Sequence, residues 1–290
     1  MKEIKLRTET TTEVPGFSIG FNDEVMLIGS CFTENMGTVM QELGFRVMVN
    51  PFGILYNPLS IATALSMCLD CRPVGEEMLV RNEERWHSWL HHGSFSRVDR
   101  QVCLDACNDA IREGYEFLQR CNRLIVTFGS AWHYRLLNDG SPFVVANCHK
   151  VAAGRFEKRL ATVQEIVDVW VPLMKRLEEK DIKVVFTVSP VRHSAYGSHG
   201  NQLGKAVLLL SIEQLLEMFE RCRYFPSYEI VVDELRDYRY YTDDMNHPSP
   251  LAERIVWQRF QETYMTAETI VCCDEAEKAN KRARHRKLAK

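Results

Sequence analysis

The stretch VMLIGSCFTENMG (residues 25–37) places an apolar run, a glycine and two nucleophilic side chains in direct succession. Its first four residues are all apolar, as expected of a strand that is buried on both faces. Apolar residues then recur at helical spacing as far as Leu43, and Gly44 suits the end of a helix. The sequence therefore predicts a strand followed directly by a helix, with Ser30 and Cys31 at their junction.

Further apolar runs of strand character alternate with helical patterns along the chain. Helices are predicted at about 162–180, which opens with a capping box, and at about 201–222 and 250–264. This alternation predicts a three-layer α/β/α sandwich in one domain over residues 1–270. Its sheet should have five parallel strands in the flavodoxin-like order 2-1-3-4-5, because right-handed crossovers cover both faces. After the first strand, the predicted strands are 45–50, 123–129, 183–189 and 228–234.

Residues 58–120 interrupt this alternation and are predicted to be a helical insertion with a polar stretch at its centre. That stretch is rich in histidine and aromatic residues, which combine apolar area with a polar tip. We expect it to cover the site as a lid or wall through His87, Trp89, His91, His92 and Phe95.

The spacing Cys68-x2-Cys71, then His87-x3-His91, matches a zinc-finger expression on paper. The intervening residues lack the two strands and the helix of a finger, so we predict neither a metal nor another cofactor.

Composition limits the possible partners and compartment. The formal net charge of −3 over 290 residues gives no global attraction to nucleic acid or anionic membranes. The first 16 residues contain no apolar core of a secretory signal, and no run approaches the ~18 apolar residues of a membrane span. A cytoplasmic protein with ten reduced cysteines is therefore expected.

The charged segment 271–290 is predicted to be a solvated helical tail. A nucleic-acid contact would be the alternative function of this basic tail, but no aromatic residues are interspersed among its charges.

Polar side chains follow every predicted strand, and the carboxyl ends of parallel strands meet at one edge of the sheet. The candidates at this edge are Ser30, Cys31, Gly53, Asn57, Ser130, Trp132, Arg192, His193, Asp244 and His247.

Cys31 lies at a predicted helix N-terminus, which favours a thiolate. Asp244 precedes His247 by three residues, so one turn could hold both and let the carboxylate orient the imidazole. The alternative is that Cys31 is a buried apolar residue without chemistry.

Seven segments together carry a family resemblance that extends over about residues 15–260. The chain resembles the GSCFA family, whose fold is similar to that of the SGNH (GDSL-type) hydrolases. Thr33 stands where the family name has alanine. The segments are IGSCFTENMG, NPFGILYNPLSI, TFGSAWHY, VANCHK, TVSPVRH, NQLGKAVL and YFPSYEIVVDELRDYRYYTDDMNHPS.

The resemblance implies an acyl hydrolase or acyl transferase with Cys31 at the nucleophile position, Asp244 and His247 as the last catalytic block, and Gly53 as an oxyanion donor. The third hydrolase block, Gly-x-Asn-Asp, reads Gly129-Ser-Ala-Trp132 here, so the asparagine that would donate to the oxyanion is missing.

Three residues could replace that asparagine: Ser130, Asn57 or Asn147.

The expected substrate is a small-molecule or glycan ester, or a thioester. The alternatives are Ser30 as the nucleophile, and a binding or scaffold protein on a hydrolase-like fold.

Overall fold

A computed structural model of the chain describes residues 8–137 and 142–288. In chain order the strands are β1 (Glu24–Gly29), β2 (Arg46–Val49), β3 (Leu79–Asn82), β4 (Arg85–Ser88), β5 (Arg123–Phe128), β6 (Trp132–Leu136), β7 (Phe143–Val145), β8 (Phe156–Leu160), β9 (Lys183–Val188) and β10 (Cys222–Phe225). The helices are α1 (Cys31–Leu43), α2 (Pro58–Asp70), α3 (Arg100–Leu118), α4 (Val163–Glu179), α5 (Gly197–Met218), α6 (Ser227–Glu229), α7 (Pro250–Tyr264) and α8 (Ala267–Leu288).

Five strands form one parallel sheet in the spatial order β2-β1-β5-β9-β10. Numbered along the chain, these strands have the order 2-1-3-4-5, so the predicted flavodoxin-like arrangement is confirmed. The helix predicted after a capping box is α4, in which Thr162 and Glu165 cap each other.

Successive side chains of each central strand point into different helical layers. In β1, Met26 and Ile28 pack in the larger core with α2, α4 and α5. Val25 and Leu27 pack in the second core with α1 and α7. Both layers are apolar, which explains why the central strands are apolar without alternation. The three-layer α/β/α sandwich is confirmed.

Gly29 fixes the geometry at the exit of β1. Its φ of +147° lies in a region that side chains rarely adopt. A Cβ built on Gly29 would lie 2.2 Å from the carbonyl oxygen of Thr127 on the neighbouring strand. The chain can turn from β1 into α1 at this point because residue 29 has no side chain.

The prediction of the fifth strand at 228–234 is wrong. The strand is β10, which ends at Phe225 before Pro226, and the predicted segment forms α6 and a π-helix over Ile230–Leu235. Ile230 and Val231 of the segment are fully buried in the core that contains Val256 and Phe260 of α7. Tertiary burial therefore overrides their strand propensity. The helix predicted to end near residue 222 ends at Met218, which leaves room for β10.

Within residues 58–120, helices α2 and α3 pack in the larger core on one face of the sheet, and the β3–β4 hairpin forms a separate two-stranded sheet between them. Between β5 and α4 the chain forms a feature that was not predicted, an antiparallel sheet in the order β7-β6-β8.

The predicted tail continues the last helix. The boundary expected at residue 270 falls inside α8, which packs on α1, and the Asn280 side-chain amide donates to the backbone oxygen of Glu42. Within residues 8–137 and 142–288, no helix is both long and apolar enough to cross a membrane.

We predict that Gly29→Ala destabilises the chain by roughly 3 kcal/mol or more, because it combines an unfavourable φ with a collision against backbone. Urea unfolding followed by circular dichroism measures the loss. Gly154→Ala is the control, because a Cβ there meets no atom within 4 Å. Equal stability of the two variants would contradict the role assigned to Gly29.

Candidate active site

A cavity of about 640 Å³ opens at the carboxyl ends of β1, β5 and β9. This is the edge of the sheet at which the sequence places the reactive side chains, and the volume suits a small organic ligand. The predicted site residues that line it are Cys31, Asn57, Ser130, Trp132, Asn147, Arg192, His193 and His247.

Asp244 and His247 form a hydrogen-bonded pair on one turn. The His247 Nδ1–H donates to Asp244 Oδ2 at 2.5 Å. The other carboxylate oxygen accepts from the backbone N–H of His247 at 3.0 Å and of Asn246 at 2.8 Å. These bonds hold the pKa of Asp244 well below its usual range. The pair fixes the imidazole with its Nε2 free of the carboxylate, and His247 lines the cavity.

Arg192 ties the exit of β9 to this turn. Its backbone N–H donates to Asn246 O at 3.0 Å, and its guanidinium donates to Met245 O at 3.1 Å. The guanidinium also lies 5.6 and 5.7 Å from the ring centroids of Tyr238 and Tyr241. Arg192 therefore holds the segment that presents His247.

Cys31 is the first residue of α1, is partly exposed, and lines the cavity. Burial raises the pKa of its thiol, although the backbone N–H groups of Phe32 and Cys31 itself lower it. The expectation of a resting thiolate at the helix N-terminus is therefore wrong, because desolvation outweighs the helix. Among the hydrogen bonds of the described residues, none joins this thiol to His247.

Ser30 does not face the cavity. It is 1% exposed, and its hydroxyl has no hydrogen-bond partner within the described part of the chain. It is the residue before α1, its side chain makes no capping hydrogen bond, and it is not among the residues that line the cavity. The alternative with Ser30 as the nucleophile is therefore inconsistent with this geometry.

Gly53 is not available as an oxyanion donor. Its backbone N–H donates to Asn50 O at 2.7 Å within a turn, and a Cβ at this position would contact His92 rather than the cavity. The backbone N–H of Ser130 is also occupied, since it donates to Tyr56 O at 2.9 Å.

Asn57 and Asn147 differ in which of their side-chain amide groups already form hydrogen bonds within the protein. Asn147 lines the cavity while its side-chain oxygen accepts from the backbone N–H of His149. Asn57 caps α2: its oxygen accepts from Ser60 N at 2.8 Å, and one amide hydrogen goes to Ser60 Oγ at 3.0 Å. An amide carries two donors, so the Asn57 cap leaves one N–H for a ligand.

Apart from Trp132, the aromatic side of the cavity was not predicted from the sequence. The antiparallel sheet β7-β6-β8 and the turn before α5 supply most of these side chains. The signal was the alternation in WHYRL (residues 132–136), which is typical of a strand with one solvated face. The added lining residues include Tyr56, His133, Tyr134, Phe156 and Tyr196.

The predicted lid is wrong, because none of its five side chains lines the cavity. Trp89 instead packs behind the antiparallel sheet against Val145 and Phe156. His91 is fully buried and stacks on Phe52 at 4.2 Å between ring centroids. Over residues 8–137 and 142–288, no group of three His, Cys, Asp or Glu side chains is arranged to hold a metal ion.

Three histidines are kept neutral by burial. Burial lowers the pKa of His91 to about 3, of His149 to about 4 and of His193 to about 4. His193 faces the cavity, and its Nε2 has no partner among the described residues. The His149 Nε2–H donates to Ser88 O at 2.7 Å, so this ring supports the β4 end.

Comparison with known proteins identifies a family and several solved structures of similar fold. The model of the GSCFA family matches residues 24–260. The structure is similar to that of a Bacteroides fragilis protein described as a "putative acylhydrolase", with a TM-score of 0.43 and 9% identity over 87% of this chain and 90% of that one.

It is also similar to a GDSL-like lipase from Bacteroides thetaiotaomicron, with a TM-score of 0.41 and 10% identity over 83% of this chain and 86% of that one. No curated protein matches the sequence.

We predict that stability falls as the pH drops from about 6.5 towards 4. In the unfolded chain a histidine binds a proton near pH 6.5, whereas folded His149 does so only near pH 4. The free energy of unfolding that depends on neutral His149 is therefore complete above pH 6.5 and is lost progressively as the pH falls towards 4. His149→Asn should flatten this slope by about 1.4 kcal/mol per pH unit, and Asn also tolerates the φ of 47°.

Urea midpoints between pH 4 and 7 measure the slope. Exposed His199 provides the control variant His199→Asn, which should leave it unchanged. A His149→Asn slope equal to that of the unsubstituted chain would contradict the prediction.

Proposed function

This chain belongs to the GSCFA family, and from its cavity we propose that it transfers the acyl group of an ester or thioester through a covalent intermediate on Cys31. The observation that carries the proposal is the Asp244–His247 pair, which presents an oriented imidazole to the cavity that the Cys31 thiol also lines. A nucleophile, a base and an orienting carboxylate are the components of acyl transfer.

The protonated state of the thiol defines the role of His247. Because burial raises the pKa of Cys31, the thiol keeps its proton until the substrate is bound. His247 Nε2 then removes this proton as the sulfur attacks the carbonyl carbon, and Asp244 holds the Nδ1–H of the imidazolium. The Cys31 thiol and His247 Nε2 approach hydrogen-bonding distance in the complex with substrate, because catalytic contacts tighten when substrate binds.

The reaction has two balanced halves. Attack forms a carbon–sulfur bond and places a negative charge on the former carbonyl oxygen. Collapse of this tetrahedral intermediate breaks the bond to the leaving oxygen or sulfur, and the leaving atom takes the proton from His247. Water, or another acceptor hydroxyl, then gives its proton to His247 and attacks the thioester, and Cys31 leaves as a thiol.

The helix start and Asn57 would bind the oxyanion. The first N–H groups of an α-helix have no partner within the helix, and those of Cys31 and Phe32 point towards the thiol. The remaining amide hydrogen of Asn57 lies at the same cavity. Such donors stabilise a developing negative charge.

The aromatic side of the cavity supports an acylated sugar as the substrate. The indole of Trp132 is fixed by donation to Gly200 O at 2.9 Å and stacks with Tyr196 at 5.2 Å between ring centroids. Tyr56 and Tyr134 add apolar area with a hydroxyl at the tip. Within the described residues no carboxylate lines the cavity, which suits neutral or anionic ligands.

A non-catalytic binding protein is the second candidate function. The raised pKa of Cys31 and the lack of a thiol–imidazole hydrogen bond in the described structure favour it. In that case the cavity would bind its ligand without turnover.

We predict that Cys31→Ala and His247→Ala each reduce hydrolysis of p-nitrophenyl acetate or an acyl-thioester at least 100-fold, because each removes a component of the same step. Cys31→Ser should keep weak activity that depends on His247. Release of p-nitrophenol, and mass spectrometry of the acylated chain, measure the two halves.

Cys272→Ala is the matched control, since this thiol is exposed and lies outside the cavity. Full activity in Cys31→Ala would exclude the thiol mechanism. Absence of turnover in every variant and in the unsubstituted chain, with the ligand still bound, would select the binding function.

A further inference from the structure

A second, smaller cavity lies beside the main one and plays no part in the reaction described above. Its volume is about 160 Å³, and Arg192 and Ser194 line both cavities. Because the two cavities share part of their lining, one ligand can extend from the main cavity into the smaller one. The remaining lining residues belong to the first turns of α5: Gly197, Ser198, Asn201 and Gln202.

The charge of this pair of cavities is positive. Among the described residues that line either cavity, Arg192 is the only one with a permanent charge, and none is an aspartate, a glutamate or a lysine. A cleft lined by one sign of charge concentrates ligands of the opposite sign. The lining therefore favours a ligand that carries a negative group near Arg192.

The Arg192 guanidinium is fixed in place but not used up. It donates to Met245 O at 3.1 Å and lies between 5 and 6 Å from the ring centroids of Tyr238 and Tyr241. A guanidinium carries five N–H donors, and no ion pair or second hydrogen bond engages it within residues 8–137 and 142–288. A rigid guanidinium with free donors is suited to the planar recognition of an oxyanion.

Two amide side chains present donors to the same cavity. The Asn201 side-chain oxygen accepts from the backbone N–H of His193 at 2.9 Å, and the Gln202 side-chain oxygen accepts from the Tyr228 hydroxyl at 3.0 Å. Both amide oxygens are therefore engaged within the protein. Their NH₂ groups have no hydrogen-bond partner in the described part of the chain, so they are the groups left for a ligand.

The two serines complete a lining of donors. Ser194 and Ser198 are exposed, and their hydroxyls make no hydrogen bond to any other described residue. One guanidinium, two amides and two hydroxyls thus surround the cavity. They outnumber the two oxygens of a carboxylate, whereas a phosphate group has three terminal oxygens and a charge of about −1.5 to −2 at neutral pH. The donor set therefore favours phosphate over carboxylate.

We infer that the smaller cavity binds a phosphate group of the substrate, with the Arg192 guanidinium as its charged contact. The acyl ester of that substrate lies in the main cavity, so the substrate class is a phosphorylated ester, such as an acylated sugar phosphate. The assignment to a substrate rests on the proposed acyl transfer, but binding of phosphate does not depend on turnover.

The test is a calorimetric titration of the full chain with inorganic phosphate at constant ionic strength. The matched variants Ser198→Asp and Ser198→Asn have the same shape and differ in one negative charge at the exposed wall of the cavity. We expect Ser198→Asn to bind phosphate within about twofold of the unsubstituted chain, and Ser198→Asp to bind it about tenfold or more weakly, because the carboxylate repels the anion. Circular dichroism checks that both variants are folded.

Arg192→Gln should also weaken phosphate binding about tenfold or more, because it removes a charge-assisted hydrogen bond. Arg192 holds the turn of His247 as well, so the Ser198 pair decides the question. Absence of phosphate binding, or equal binding by the two Ser198 variants, would overturn the inference. Acetate is the carboxylate probe, and acetate binding as tight as that of phosphate would overturn the assignment of the ligand class.

Glucose 6-phosphate and glucose test whether the phosphate belongs to a larger ligand. Because the two cavities adjoin, glucose 6-phosphate should bind more tightly than either glucose or inorganic phosphate, and Ser198→Asp should remove its advantage over glucose. Binding no tighter than that of inorganic phosphate would overturn the assignment to the substrate. Phosphate binding without ester turnover would contradict the proposed function alone, whereas turnover without phosphate binding would contradict this inference alone.

Discussion

The arrangement of the site depends on the backbone of Gly29. Its N–H donates to the side chain of Asn50 at 2.8 Å, and its carbonyl accepts from Leu55 N at 2.9 Å. These bonds tie the end of β1 to the segment after β2. The carbonyl oxygen of Thr127 on β5 occupies the space that a side chain at position 29 would need. With the φ of Gly29 at +147°, the chain leaves the sheet in such a direction that Cys31 is the first residue of α1 and lines the cavity.

The parts predictable from sequence are those in which a local pattern and the final burial agree. The central strands are apolar because both faces are covered, and Gly44 ends α1 in a left-handed conformation. The Asp244–His247 pair was predictable because three residues span one turn. In contrast, residues 228–234 have strand propensity but are buried as a helix, and nothing local reports this choice.

The cavity itself was the least predictable part, because its shape depends on long-range contacts. The antiparallel sheet β7-β6-β8 brings Tyr134 and Phe156 to the cavity that Cys31 also lines, although both lie more than 100 residues from Cys31 in the sequence. The roles of buried polar groups were equally hidden. Lys205 looks like any lysine of a helix until the fold places its nitrogen between two strand ends. The thiol state was mispredicted since desolvation is a property of the assembled fold.

The two halves of the proposed pair come from opposite ends of the chain: Cys31 follows the first strand, and His247 precedes α7. During synthesis the thiol leaves the ribosome early, long before its base exists. A nascent or truncated chain that lacks the last segment therefore holds Cys31 without the imidazole of His247. In the proposed reaction, thiol and base meet only after the segment that carries His247 has packed on the sheet, so competence for that reaction would require synthesis and folding of the chain at least as far as His247.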